Sequence, residues 1–271
     1  MKFIFFGTPD VAKETLQHLV ENDLSPVAVV TNPDAPKGRG HIMTASPVKE
    51  YAQNEGLPIL TPDSLNEEFM KEVGAFGADL AIVVAYGKIL PEALINSFPQ
   101  GVLNIHYSLL PRWRGAAPVE YALLNNDQET GVTIQKMIKE LDAGDIVATQ
   151  SLAIGENDTT KTLRPRLIKL GAELLVETLP RYLAGETVPT PQEGSEITFA
   201  PKLKKEAGEI NLDDGSQLNW NKYRAFAVWP GTYFFKDGKR YKVTDASFKD
   251  GVFQIEKVIP EGGREIDWIS V

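Results

Sequence analysis

Two polar side chains stand where an apolar run ends and a buried strand is predicted to stop. Asn104 and His106 lie two residues apart, and the period-two alternation of a strand places both on one face. A histidine with an ordinary pKa near ~6.5 can move protons at neutral pH, and an asparagine amide can donate to the oxyanion of a tetrahedral intermediate. Asp142, in a loop between two later predicted strands, offers a carboxylate that can orient the histidine. These residue types suit acyl transfer, although a His–Asn pair by itself is more often structural than catalytic.

The elements that would position these residues alternate between strand and helix patterns. The predicted strands of this part are 3–6, 27–30, 57–60, 79–85 and 102–105. Their alternation with helical patterns indicates an α/β fold with a Rossmann-like, mostly parallel sheet that is covered on both faces. Such sheets bind ligands at the carboxyl ends of their strands, which is where Asn104 and His106 are predicted to lie.

The turn after the first strand argues against a dinucleotide cofactor. It reads Gly7-Thr8-Pro9-Asp10-Val11-Ala12 and lacks the second and third glycines of the GxGxxG fingerprint. Because those glycines shape the phosphate-binding turn, we do not expect NAD to bind.

The pattern changes after residue 185. Residues 186–200 carry Pro, Thr, Gly and Ser and are predicted to form a linker behind a catalytic domain at 1–185. In 201–271, short β runs alternate around two turns, Asp237-Gly238 and Asp250-Gly251. This pattern predicts a small, β-rich second domain built from antiparallel strands.

Composition narrows the class of protein. The 271-residue chain has a formal net charge of -9, no cysteine and 42% hydrophobic residues, as in an ordinary soluble globular protein. The absence of cysteine excludes disulfides, a thiolate nucleophile and a Cys-ligated metal. No apolar stretch approaches the ~20 residues of a membrane-spanning helix. We therefore expect a cytoplasmic protein, and any nucleic acid must meet a local basic patch, because the net charge repels phosphates.

The sequence around His106 resembles the signature of the folate-dependent formyltransferases. This stretch reads Asn-Ile-His-Tyr-Ser-Leu-Leu-Pro-Arg-Trp-Arg-Gly from Asn104, and it is too long and specific to be a chance match. The resemblance implies that Asn104, His106 and Asp142 are the catalytic residues. It implies 10-formyltetrahydrofolate as the formyl donor, with no metal. The residues implied to contact the folate are Ser108, Leu109, Leu110 and Pro111.

Within that family, the rest of the chain resembles the members that formylate methionyl-tRNA. The matching segments are 6–10, 32–40, 46–49, 199–203, 224–226, 229–231 and 260–262. In those members the stretch corresponding to 32–49 is an inserted loop that contacts the tRNA acceptor stem. The resemblance implies initiator methionyl-tRNA as a partner, together with the folate donor. The basic residues we expect to meet its phosphates are Lys37, Arg39, Lys49, Lys202, Lys204 and Lys205.

One region departs from the family pattern. The strand-and-loop pattern after Val243 is too short for the family's full OB-like barrel, so 201–271 is predicted to be a reduced OB-like domain. The shortening bears on tRNA binding by this domain and not on the chemistry.

Two alternative functions share some of these features. A sugar-nucleotide N-formyltransferase could have the same three catalytic residues, but a small substrate does not need the loop at 32–49. A non-catalytic tRNA-binding module would not need Asn104, His106 and Asp142 to be intact. We expect a monomeric enzyme.

Overall fold

The computed structural model describes residues 2–38 and 41–268 and contains two compact units. The first unit comprises residues 1–111, 131–150 and 167–197; the second comprises 112–130, 151–166 and 198–271. Each unit is thus assembled from three stretches of chain. The linear division predicted from composition, with a linker at 186–200, stays a prediction.

Helices and strands alternate through most of the described chain. In chain order they are β1 Phe3–Gly7, α1 Asp10–Glu21, β2 Ala28–Val30, β3 Ala35–Lys37, β4 Ile42–Thr44, α2 Pro47–Asn54, β5 Ile59–Leu60, α3 Glu67–Gly74, β6 Leu80–Val84, α4 Glu92–Ile95, β7 Val102–His106, α5 Pro118–Leu124, β8 Glu129–Lys136, β9 Ile146–Ala153, α6 Thr160–Leu183, α7 Ser216–Ala225, β10 Thr232–Lys236, β11 Lys239–Lys249, β12 Val252–Pro260 and β13 Ile266–Asp267.

A seven-stranded sheet forms the framework of the site. Its strand order is β5-β2-β1-β6-β7-β8-β9. The first five strands in this order run parallel to their neighbours, and β8 runs antiparallel to β7. The predicted Rossmann-like, mostly parallel sheet is therefore confirmed.

Burial explains why the strands of this sheet read as continuous apolar runs. Every residue of β1 and of β6 is buried, as expected for strands covered on both faces. Their side chains contribute to a core that includes Ile4, Phe6 and Val83, packed with Leu94 from α4. A closely packed framework of this kind holds the ends of its strands in place.

Several short elements were not predicted from the sequence. A hairpin of β3 and β4 forms within 32–49, and α2 follows it with Ser46 accepting a hydrogen bond from the backbone N–H of Lys49 at its N-terminus. Proline occupies the first turn of α2 and of α5, where its missing N–H costs nothing. Ser46 and Pro47 are local sequence signals for the start of α2, and Pro118 is such a signal for α5.

The second unit contains a four-stranded antiparallel sheet, in the order β10-β11-β12-β13. Both predicted Asp-Gly turns are confirmed: Asp237 and Gly238 join β10 to β11, and Asp250 and Gly251 join β11 to β12. All four of these residues have positive φ between 51° and 78°, as a type I′ turn requires. The predicted small antiparallel region is therefore present.

No helix between residues 2 and 38 or 41 and 268 is long and apolar enough to cross a membrane. In the same ranges, no group of three or more His, Asp or Glu side chains is placed to hold a metal ion.

Candidate active site

The end of β7 and the facing part of β8 form the floor of the candidate site. Asn104 pairs in register with Gln135, and His106 pairs with Thr133. Residues opposite each other on paired strands point to the same face, and residues two apart on one strand do so as well. All four polar side chains therefore lie on one face of the sheet, as the spacing of Asn104 and His106 predicts for that pair.

Asp142 comes to His106 from the loop between β8 and β9. Its Oδ2 lies 3.6 Å from Nδ1 of His106, and the two side chains are only 11% and 6% exposed. This separation exceeds a hydrogen bond of about 3.2 Å but permits an ion pair when the imidazole is protonated. Thus the fold brings together a histidine and a carboxylate that are 36 positions apart in the sequence.

The loop that carries Asp142 is held tightly against β8. The backbone N–H of Lys136 donates to the carbonyl of Asp145 over 2.8 Å. A Cβ on Gly144 would lie 1.6 Å from the carbonyl oxygen of Lys136, so only glycine allows this approach. Asp142 itself has φ 49°, a left-handed conformation that Asp and Asn tolerate better than most residues. These contacts restrict the backbone at Asp142, and this fixes the point from which its carboxylate side chain extends.

Two glutamines also hold Asp142, and neither was singled out from the sequence. Nε2 of Gln192 donates to the carbonyl oxygens of Asp142 and Gly144, over 2.9 and 2.8 Å. Nε2 of Gln135 donates to Oδ1 of Asp142 over 2.8 Å. A signal for Gln135 was available, since it alternates with apolar residues on a strand beside His106. Nothing local marks Gln192, which lies in the stretch predicted to be a linker.

The segment expected to contact folate is fixed by one buried hydroxyl. Oγ1 of Thr133 donates to the carbonyl of Ser108 over 2.7 Å and accepts from the backbone N–H of Leu110 over 3.1 Å. Thr133 and Ser108 are fully buried, and Leu109 and Pro111 are half-buried. The segment 108–111 thus begins two residues after His106 and is tied to the strand beside it.

The neighbouring strand ends carry further polar groups. After β6 the chain turns sharply, with φ 45° at Ala85 and φ 87° at Gly87, and the carbonyl of Tyr86 accepts hydrogen bonds from Thr8 and Asn32, both over 3.0 Å. Burial raises the pKa of Tyr86 to about 12, so its hydroxyl stays neutral. Within the described residues, the buried Oδ1 of Asn32 and the Tyr86 hydroxyl have no hydrogen-bond partner.

The residues expected to bind tRNA lie in both units. Lys37 ends β3 and Lys49 lies in α2, where its Nζ pairs with Oδ1 of Asp34 over 2.7 Å. This ion pair partly neutralises the positive charge that Lys49 could offer to a phosphate. Arg39 lies outside the described residues. In the second unit, Lys202, Lys204 and Lys205 are all exposed.

The second half of the motif around His106, residues 112–115, makes its contacts with other residues of the second unit. Arg112 and the indole N–H of Trp113 both donate to the carboxylate of Asp127. Gly115 approaches Ala200 so closely that a Cβ would lie 2.6 Å from its carbonyl oxygen. The long motif therefore combines residues of the candidate site with residues that hold the neighbouring loops.

Family models match most of the chain. A model described as "Formyl transferase" matches residues 1–179, and one described as "Formyl transferase, C-terminal domain" matches residues 202–267. Methionyl-tRNA formyltransferase of Caldanaerobacter subterraneus is 42% identical over 91% of this chain and 80% of its own length. The enzyme of that name in Citrifermentans bemidjiense is 43% identical over 90% of this chain and 77% of its own length.

Solved structures show the same fold at lower identity. Methionyl-tRNA formyltransferase from Clostridium thermocellum aligns over 99% of this chain and all of its own, with a TM-score of 0.64 and 18% identity. An N-formyltransferase from Helicobacter canadensis, solved with folinic acid and dTDP-3-aminofucose, covers 92% of this chain and 88% of its own, with a TM-score of 0.72 and 19% identity.

Proposed function

Since the chain belongs to the formyl transferase family, we propose that it transfers the formyl group of 10-formyltetrahydrofolate to the amino group of initiator methionyl-tRNA. The product, formylmethionyl-tRNA, serves translation initiation, and we propose that the reaction takes place in the cytoplasm. The observation that carries the proposal is the approach of Asp142 to His106, two residues from Asn104, in a chain that is 42% and 43% identical to two methionyl-tRNA formyltransferases.

The polar side chains at the end of β7 have separate roles in this proposal. The bound folate supplies the formyl carbon, and its N10 is the nitrogen that leaves. Asn104 donates its amide N–H to the formyl oxygen, on which negative charge develops as the substrate amine attacks. Such a donor aimed at a developing oxyanion contributes ~100-fold or more to a rate.

His106 moves the proton that the reaction must transfer. Its Nδ1 faces Asp142, so proton exchange with the substrate falls to Nε2. Nε2 accepts a proton from the attacking amine as the N–C bond forms and returns it to the departing nitrogen as the C–N bond breaks. Asp142 fixes the ring orientation and favours the charged imidazolium between these two steps.

We expect the folate to bind at the strand ends, because parallel sheets bind ligands at the carboxyl ends of their strands. A pterin ring needs apolar contact and several hydrogen-bonding partners at its edge. The segment 108–111 offers the half-buried side chains of Leu109 and Pro111, and Asn32, which follows β2, has a buried side-chain oxygen without a hydrogen-bond partner in the described residues. We propose that the pterin lies near 84–87, beside Ser108 to Pro111.

The tRNA must bind through restricted basic patches, because the formal net charge of -9 repels phosphates elsewhere. The hairpin of β3 and β4 exposes the apolar side chains of Ile42 and Met43, which are 71% and 61% exposed. We propose that this hairpin and its flanking cations contact the acceptor stem. The proposed cations are Lys37, Arg39 and Lys49 there, with Lys202, Lys204 and Lys205 in the second unit.

A parallel assay of two substrates tests the proposal. The purified chain is given 10-formyltetrahydrofolate with either methionyl-tRNA or an amino-sugar nucleotide, and formylated product is measured over time. We expect rapid formylation of methionyl-tRNA and little of the sugar. Efficient formylation of the sugar alone would assign a sugar-nucleotide N-formyltransferase, and a lack of turnover with both substrates would leave a tRNA-binding module.

A further inference from the structure

We infer that Gln135 is a positioning residue that aims the carboxylate of Asp142 at His106. This inference rests on the proposed function, since it concerns how the proposed catalytic carboxylate is held. It starts from the hydrogen bond of 2.8 Å from Nε2 of Gln135 to Oδ1 of Asp142. A carboxylate has two oxygens, and fixing Oδ1 determines where Oδ2, which faces the imidazole, can lie.

The contact between Asp142 and His106 needs such support. At 3.6 Å it is longer than a normal hydrogen bond, so it does not by itself hold the carboxylate in place. The backbone contacts of the loop fix the position of Asp142, whereas the direction of its carboxylate also depends on rotation about χ1 and χ2. The hydrogen bond from Gln135 restricts that rotation.

Gln135 is itself held firmly. It lies near the end of β8, in register with Asn104 on β7, and is only 1% exposed. A side chain in a closely packed strand has few rotamers, so its amide is a fixed point from which a neighbour can be oriented. The same strand fixes the segment 108–111 through Thr133, which lies two residues earlier on the same face.

The direction of the amide supports a specific role rather than simple packing. A carboxylate only accepts hydrogen bonds, so the NH₂ group of Gln135 must face Asp142. Its Oε1 then points away, and this buried oxygen has no partner within the described residues. Burying an unpaired acceptor is unfavourable, and an apolar side chain of the same size would avoid that cost. The hydrogen bond to Oδ1 of Asp142 therefore explains why a glutamine, and not an apolar residue, occupies position 135.

Gln135→Met tests the inference, because methionine keeps the length and most of the volume but donates no hydrogen bond. Losing a hydrogen bond to a charged group should lower kcat for formyl transfer by ~10-fold, with KM for both substrates changed by less than ~2-fold. Gln135→Leu, which also removes the N–H donor from this position, should lower kcat by a similar factor. Gln150→Met is the matched control, because Gln150 is exposed on β9; its kcat should be unchanged.

A double variant separates positioning from general damage. Asp142→Ala alone should lower kcat by ~100-fold. If Gln135 acts through Asp142, adding Gln135→Met to Asp142→Ala should lower kcat no further, since coupled residues are not additive. A further ~10-fold loss in the double variant, or near-native kcat in both single Gln135 variants, would overturn the inference while leaving the proposed function intact. Unchanged kcat in Asp142→Ala would instead refute the catalytic role of Asp142, and the inference with it.

Discussion

Replacing Gly144 by alanine should disable the candidate site without altering a catalytic side chain. A Cβ at this position would lie 1.6 Å from the carbonyl oxygen of Lys136 and 2.8 Å from its carbonyl carbon. Because Cβ atoms essentially never approach another heavy atom closer than 3.0 Å, the backbone must yield by about 1.4 Å, the difference between 3.0 and 1.6 Å. Both obstructing atoms belong to the backbone of β8, so no side-chain rotation relieves the overlap.

The displacement falls on the loop that carries Asp142, two residues before Gly144. A shift of that size would change the 3.6 Å contact with His106 and the hydrogen bonds from Gln192 to this loop. Misplacing a catalytic group by ~1 Å can cost ~100-fold in rate. We therefore expect kcat for formyl transfer to fall by ~100-fold or more, with a moderate loss of thermal stability from the overpacked loop.

The assay compares initial rates of methionyl-tRNA formylation at saturating 10-formyltetrahydrofolate, with the melting temperature measured on the same preparations. The matched control is Gly74→Ala at the exposed end of α3, where a Cβ meets nothing within 4 Å; it should have native activity. A Gly144→Ala enzyme within about threefold of the native rate would show that the loop geometry does not limit catalysis, and would refute the reasoning.

Three further predictions concern His106, the cation Arg39 and a carboxylate of the second unit, Asp158. His106→Ala should lower formyl transfer by ~100-fold or more, the scale of a general acid–base contribution, and near-native turnover of the folded variant would remove His106 from the mechanism. Arg39→Ala should raise KM for tRNA but leave KM for formyl-folate nearly unchanged, and an unchanged KM for tRNA would contradict its role. For the native chain, the logarithm of the affinity for tRNA should fall against the logarithm of the salt concentration with a slope of magnitude ~3–5, and salt-independent binding would contradict the phosphate contacts. Burial opposes ionisation of Asp158, but hydrogen bonds from a backbone N–H, Thr162 and Arg166 outweigh it and lower its pKa. The stability this gives is therefore present above the ordinary pKa near ~3.9 and lost as pH falls below it. Urea titrations should show Asp158→Asn less stable than native at pH 7, with the difference shrinking toward pH ~3; a constant difference would contradict the argument.

Local patterns in the sequence were sufficient for the buried strands of the seven-stranded sheet and for the turns of the four-stranded one. The buried strands β1 and β6 read as unbroken apolar runs because both of their faces are covered. The two Asp-Gly pairs specify their turns because glycine and aspartate tolerate positive φ. Asn104 and His106 could be placed on one face of a strand end from their spacing alone, since the period of a strand is two.

The tertiary structure decided which distant residues surround that strand end. Gln135 and Gln192 contact Asp142 only because β8 pairs with β7 and because the chain returns past the loop after α6. Gly144 is required for a close approach to Lys136, not for an unusual φ that a turn pattern would reveal. Hydrophobic periodicity and turn preferences are properties of a few neighbouring residues, whereas strand pairing and loop packing depend on the whole core. The sequence by itself thus determined the chemistry available at the end of β7, and the packing of the folded chain determined how Asp142 is held beside it.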